Sequence, residues 1–354
     1  MSEVIMPTSN PAAVEAEANS RSLWSLGWQR LRRDKVGYTC LWIVGVFILL
    51  AALVWSGVLA RSWDNEVGEP NLPPMWAGQQ TAQHTVASDG MEDATGPIIR
   101  LTPAEDPIAD MLAAAAKNKS KYETKETPKT DSLVMGSDQR GRSVFAKVLQ
   151  GTGTSMLVGI FGALLSVVIG TILGAFAGYF GRKTDDSLMW FYSVFTSVPD
   201  MLLLLAFAAV AGRGFTTLIL VLSFTSWTGV FRLVRAEYMK QRSREYVQAA
   251  DAIGASHLRR MFVHILPNIS HLLLVQFSLL LVGLIKYEVI LSFLGFGVSV
   301  KQVSWGSILG EVPTELMQGF WWQLLGVVLF MSIFVTAVSL LTDALRDALD
   351  PKVK

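Results

Sequence analysis

Six runs of mostly apolar residues dominate the chain, at 38–60, 152–180, 188–211, 215–234, 269–293 and 320–341. A helix needs about 20 such residues to cross the hydrocarbon core of a bilayer. The sequence therefore predicts an all-α polytopic membrane protein with six transmembrane helices. The rest of the composition agrees. Only 17% of the residues are charged, against about 25% in an ordinary soluble domain. The charges are segregated along the chain, so the net charge of +1 carries no information about nucleic acid, and no nucleic-acid partner is predicted.

Orientation follows from the short connections, because Lys and Arg collect on the cytoplasmic side and long loops are discounted. Arg21, Arg30, Arg32, Arg33 and Lys35 place the N-terminus in the cytoplasm, and Arg346, Lys352 and Lys354 place the C-terminus there. Arg182, Lys183, Arg232, Arg235, Lys240, Arg242, Arg244, Arg259 and Arg260 also lie inside, while the outer connection after the third span carries only Arg213. Residues 1–37 then read as a cytoplasmic tail ending in an interfacial helix, in which Trp24, Trp28 and Leu31 share a face and the basic residues meet lipid headgroups. The first span is 38–60. Residues 61–147, rich in Pro, Gly, Lys and Glu, read as a partly disordered extracytoplasmic loop. Residues 148–345 form a five-helix core with a cytoplasmic loop at 235–268, and 346–354 a cytoplasmic tail. The first twenty residues lack a basic region followed by an apolar one, so no cleaved signal peptide is expected.

Within the spans, Gly170, Gly174 and Gly178 recur every four residues, a stripe that lets a second helix approach closely. Pro199 interrupts the third span and should kink it. Lys286 and Glu288 lie toward the outer end of the fifth span, where Glu288 reads either as a pathway or subunit-interface residue or as a group snorkelling to the surface. Trp305, Ile308 and Leu309 suit a short, half-buried interfacial helix. Catalytic and metal-binding patterns are missing. "GYFGRKT" resembles a phosphate loop but Arg182 stands between its glycine and lysine. His257, His264 and His271 have no carboxylate or cysteine at ligand spacing, and Cys40 is the only cysteine.

The remaining polar stretch, "YVQAADAIGASHLRRMFVHILPN" from Tyr246 to Asn268, has helical periodicity in two pieces. Tyr246, Ala249, Ala250 and Ile253 make one apolar stripe, and Leu258, Met261, Phe262 and Ile265 a second. Gly254 ends the first piece in a left-handed conformation, Ser256 caps the second, and Pro267 should stop it before the fifth span. The outcome expected is a helix–turn–helix knob on the cytoplasmic face. This stretch resembles the coupling loop of ABC importer permeases, E-A-A, three residues, G, nine residues, I-x-L-P. Gln248, Ala249, Ala250, Gly254, Leu266 and Pro267 fall in register. Gln248 stands where the family has glutamate and His264 where it has isoleucine, and "HILPN" is the form found in the dipeptide/oligopeptide/nickel branch. "LWSLGWQRLRRDKVG", "GSDQRGRSVFAKVLQGTGTSMLVG", "EVILSFLGFGVSVKQVSWGSIL" and "TDALRDALDPK" resemble the C-type permease of that branch, leaving out only 1–20 and about 64–130.

The resemblance implies a type I importer permease of a bacterial inner membrane, forming half of a pore for peptides or other small cargo. It would pair with a homologous B-type permease, with two ATPase subunits that use ATP and Mg, and with an extracytoplasmic substrate-binding protein. It implies no cofactor on this chain and no enzymatic activity in it. The residues it nominates for ATPase coupling are Tyr246, Gln248, Ala249, Ala250, Ile253, Gly254, Leu266 and Pro267. A stand-alone secondary transporter or channel is the alternative, and would call for paired broken helices and intramembrane coupling ions.

Overall fold

The structure is a computed structural model that describes residues 23–77, 129–130, 132–299 and 301–349. The chain divides into two compact units, Met1–Trp63 with Ala146–Lys354, and Asp64–Phe145. Eleven α-helical segments carry the described residues: α1 Leu23–Arg33, α2 Lys35–Trp55, α3 Val144–Phe180, α4 Arg182–Thr196, α5 Asp200–Ala211, α6 Phe215–Gln241, α7 Glu245–Ala252, α8 His257–Arg259, α9 Leu266–Phe293, α10 Trp305–Met317 and α11 Trp322–Leu349. Among the described residues five segments are long and apolar enough to cross a membrane: α2, α3, α6, α11 and the arm His257–Phe293. The pair α4–α5 makes a sixth only if a bend of 84° is allowed within one span.

That bend corrects the expected third span. Instead of a kinked helix over 188–211, the chain breaks, and Pro199 stands outside α5 as its N-cap with ψ 131°. Proline offers no N–H and bars its predecessor, here Val198, from the helical region. Asp200 then opens α5 with a carboxylate beside the positive helix end. A second correction concerns Pro267, which was expected to stop a helix. The chain runs helically from His257 to Phe293 because a π turn, Arg260–Ile265, widens the helix just before the proline. Pro267 falls in the first turn of α9, where a missing N–H is tolerated, and the Asn268 side chain donates to the His264 carbonyl at 2.9 Å.

Helix packing in the first unit is built on small residues and stacked rings. On α3, a Cβ at Gly170 would lie 2.6 Å from the Val230 Cβ, and one at Gly174 2.7 Å from the Phe231 carbonyl oxygen. A Cβ at Gly178 would overlap the Arg235 carbonyl. The glycine stripe thus faces α6 at backbone contact, the approach that makes dispersion effective where no hydrophobic effect operates. On the other flank of α6, Trp227 stacks on Phe191 at 5.6 Å and Phe231 on Tyr192 at 5.4 Å, which seats α4. α11 packs against α1, α2, α9 and α10. Gly27 of α1 meets Leu349 of α11, and Leu31 is buried while Trp28 stays half-exposed under the Arg32 guanidinium.

The second unit falls within the 61–147 stretch read as a partly disordered loop, and only its ends are described. These described ends are pinned by single bridges between Glu66 and Arg142, Pro74 and Leu133, and Ser137 and Ser143. The Arg142 guanidinium is buried between the Asp138 and Asp64 carboxylates, at 2.6 and 3.1 Å. Most of the expected insertion, 78–128, lies outside the described residues, as do residues 1–22 and 350–354, and Trp24's side chain.

Candidate functional site

Between α6 and α9 the chain makes a protrusion whose shape follows from two local signals. Gly254, at φ +78°, closes α7. Its N–H bonds the Asp251 carbonyl and the Ala255 N–H the Ala250 carbonyl, which satisfies the last carbonyls of the helix in the paired Schellman pattern. Ser256 then caps α8, its hydroxyl accepting from the Arg259 N–H. Two short helices meet at a glycine, and the second runs through the π turn into α9.

The inward face of the protrusion is Val247, Ala250, Met261 and Ile265, all buried; Val247, Met261 and Ile265 join Ala175 and Tyr179 of α3, Val230, Val234 and Tyr238 of α6, and Ile269 of α9 in one cluster. The first apolar stripe read from the sequence is therefore only partly an inner face. Ala250 points in, Val247 was overlooked, and Tyr246, Ala249 and Ile253 point out. In an eight-residue helix the inward face is a single turn, so a stripe spread over four positions wraps past it. Ile253 is 84% exposed and Leu258 57%, although both are aliphatic. Of the other nominated residues, Gln248 is exposed and donates to the Ser243 carbonyl at 3.2 Å. Leu266 is half-buried against the cluster, and Pro267 is exposed.

Polar contacts stiffen the base of the protrusion. Arg260 reaches the Asp251 carboxylate at 2.5 Å and the His257 ring at 3.0 Å, and the Tyr179 hydroxyl meets the same ring nitrogen at 3.1 Å. Arg242 donates to the Tyr179 carbonyl and Tyr238 to the Met261 carbonyl, at 2.9 and 3.0 Å. Arg235 grips Asp185 through two nitrogens, at 2.5 and 2.7 Å, a geometry that fixes both partners. Tyr179, Arg242, Gln248, Asp251, His257 and Arg260 surround an open cavity of about 290 Å³. Among the described residues no group of three or more His, Cys, Asp or Glu gathers at metal-binding distance.

The structure also places Glu288, and neither position read for it from the sequence holds. Its side chain is fully buried inside this chain, 0% exposed, so it lines no open pathway and reaches no surface. One carboxylate oxygen accepts from Ser155 of α3 and the other from Ser292 of α9, both at 2.7 Å. The serines in turn hold the start of α10: Ser155 accepts the Trp305 N–H at 3.1 Å, and Ser304 donates to Ser292 at 3.4 Å. Ser292 stands one helical turn from Glu288, a pairing legible in the sequence; Ser155 and Ser304 carried no signal of their own.

Residues 170–354 match the family model for the binding-protein-dependent transport system inner membrane component. Residues 22–74 match that for the N-terminal TM domain of oligopeptide transport permease C. The chain is 35% identical over 219 residues to the dipeptide transport system permease protein DppC of Bacillus subtilis, covering 62% of this chain and 68% of that protein. It is 36% identical over 217 residues to the oligopeptide transport system permease protein OppC of Haemophilus influenzae, covering 61% and 70%. With DppC of Lactococcus lactis the identity is 26% over 337 residues, 94% of this chain and 91% of that one. The protrusion lies within the first of these matched regions, together with α4–α11. The chain belongs to the binding-protein-dependent transport system inner membrane component family and is a multi-pass membrane permease.

Proposed function

We propose that this permease imports peptides across a bacterial inner membrane as half of a two-permease pore, driven by two ATPase subunits that dock on the Glu245–Ile265 protrusion and supplied by an extracytoplasmic binding protein. Both termini face the cytoplasm in this reading, and ATP and Mg are used by the partners. The observation that carries it is the division of the protrusion into two faces. Val247, Met261 and Ile265 root it in the bundle, while Ile253 and Leu258 stay exposed at its tip. Apolar side chains gain nothing from water, so exposed ones on a rigid, well-packed element suit a surface that a partner covers. The relatives named above, dipeptide and oligopeptide permeases, support peptide cargo. A stand-alone transporter is disfavoured by the same family match and by the single bent pair, α4–α5, among the described helices.

Gly254 supplies the test. A Cβ there would meet no atom of this chain within 4 Å, so bulk at this position has room unless a partner occupies it. Gly254→Ala adds only the strain of a positive φ, about 1–2 kcal/mol, and should retain most uptake. Gly254→Trp should cut peptide uptake at least tenfold at unchanged permease level. Equal uptake by both variants would refute docking at the tip.

A further inference from the structure

Glu288 is the polar group of the bundle least explained by pore formation. It is fully buried, and among the described residues no cation pairs with it. A carboxylate taken out of water is costly unless its oxygens are well bonded, and packed apolar residues of similar size would hold three helices together at least as stably. What apolar packing lacks is direction: smooth surfaces can slide by a turn, whereas an acceptor with a donor on each oxygen cannot move without orphaning one of them.

The position of Glu288 shows what that directionality fixes. The segment His257–Phe293 is one helical arm of 37 residues, about 55 Å long at 1.5 Å per residue. Its first residues are the root of the protrusion, with Met261 and Ile265 in the core cluster. Glu288 lies near its far end and, through Ser155 and Ser292, holds the Ser304–Trp305 start of α10. Gly306 adds contact without room for a side chain, since a Cβ there would lie 2.6 Å from the Val289 carbonyl and from the Ser292 Cβ. α10 has a second anchor that bypasses the arm: Lys147 of α3 reaches Glu311 of α10 at 2.5 Å and Gln323 of α11 at 3.2 Å. The first anchor ties α10 to the arm through Ser292 and to α3 through Ser155, with Glu288 bonded to both serines; the second ties α10 to α3 and α11 alone.

We propose that Glu288 is a positioning residue that makes α10 move with the arm, so that a displacement imposed on the protrusion at one end of α9 is delivered to the helix capping the other end. This rests on the importer reading of the protrusion. Without the carboxylate, α10 stays with α3 and α11 through Lys147, Glu311 and the Trp305–Ser155 bond, and the two ends of the arm lose their register.

The test uses the assembled importer in lipid nanodiscs, in a Cys40→Ala background, with spin labels in pairs. Val46 on α2 is the reference; Met317 on α10, 82% exposed, reports one end and exposed Arg259 the other. In the otherwise native chain, trapping the ATPases with ATP and vanadate should change both the Val46–Arg259 and the Val46–Met317 distances. In Glu288→Ala and in Ser292→Ala the Arg259 distance should still change while the Met317 distance stays at its resting value. Glu288→Gln, which keeps one carbonyl acceptor, should fall between. Should Glu288→Ala fail to accumulate, Ser292→Ala, which removes a single hydroxyl of the arm, decides the matter. A Met317 shift of native size in these variants overturns the proposal, as does a native chain in which only the Arg259 distance responds. A native chain in which neither distance responds overturns the importer reading itself.

Discussion

The two ends of the helical arm His257–Phe293 handle polarity in opposite ways. At the protrusion, charged and aliphatic groups share an exposed surface, with Ile253 and Leu258 outside and Met261 and Ile265 inside. At the other end a carboxylate is sealed within three helices and satisfied, among the described residues, by serines. The first end looks unfinished in this chain and the second is complete. An exposed aliphatic tip contributes nothing to folding and points to a partner, whereas a sealed carboxylate contributes only to relations within the chain. Substitutions at the tip should therefore change transport without changing the fold, and substitutions at the sealed end should disturb the fold or its internal register.

The strongest way to break this contrast lies within the protrusion. Met261→Asp would place an unpaired charge in a cluster where Met261 has no exposure. Burying an uncompensated charge costs several kcal/mol, enough to remove much of the permease from the membrane fraction. Ile253→Asp puts the same charge on a side chain already in water, so permease abundance should be native while uptake falls at least tenfold. Quantitative blotting of membranes alongside uptake of a labelled dipeptide separates the two. If both variants lose abundance alike, the tip is part of the fold and the division into two faces is wrong.

Two glycines sharpen the comparison at lower energy. Gly306→Val at the sealed end must displace Val289 or Ser292, and overpacking of this kind costs about 1–3 kcal/mol. Gly254→Ala at the protrusion meets open space and costs about 1–2 kcal/mol through its positive φ alone. Thermal denaturation of the purified permease should rank Gly306→Val below Gly254→Ala, and both below the native chain. The reverse order would mean that α10 yields easily, against its role as a fixed cap.

The same contrast explains which parts of the molecule could be read from residue order. Long apolar runs need no partner to be recognised, so α2, α3, α6, α9 and α11 were legible, as was the glycine joint at Gly254, whose conformation is local. Pro199 and Pro267 show the limit. Both were read as interruptions, yet one breaks its span by 84° and the other is absorbed by a π turn. The difference is tertiary: near Pro267 the Tyr238 hydroxyl and the buried Met261 and Ile265 side chains hold the widened turn, and nothing in the local sequence announces them. Glu288 was misread for the same reason, because Ser155 lies 133 positions away. Val247 was missed because an eight-residue helix offers too short a period to choose its inward face.

The smallest expected effect tests that explanation of the π turn. The Met261 carbonyl accepts both the Tyr238 hydroxyl, at 3.0 Å, and the Leu266 N–H of the π turn. Tyr238→Phe removes one of two donors and leaves the ring in place, so no buried carbonyl is orphaned and the cost should be about 0.5–1.5 kcal/mol. The loss should be local. Hydrogen exchange at the Leu266 amide should quicken severalfold, while exchange around Glu288 stays native. Because the arm is rooted by Met261 and Ile265 as well as by this hydroxyl, uptake should fall less than twofold. Exchange that quickens equally at both ends of α9 would mean that the arm loosens as a whole, and the separation between a partner-facing end and a sealed end would fail.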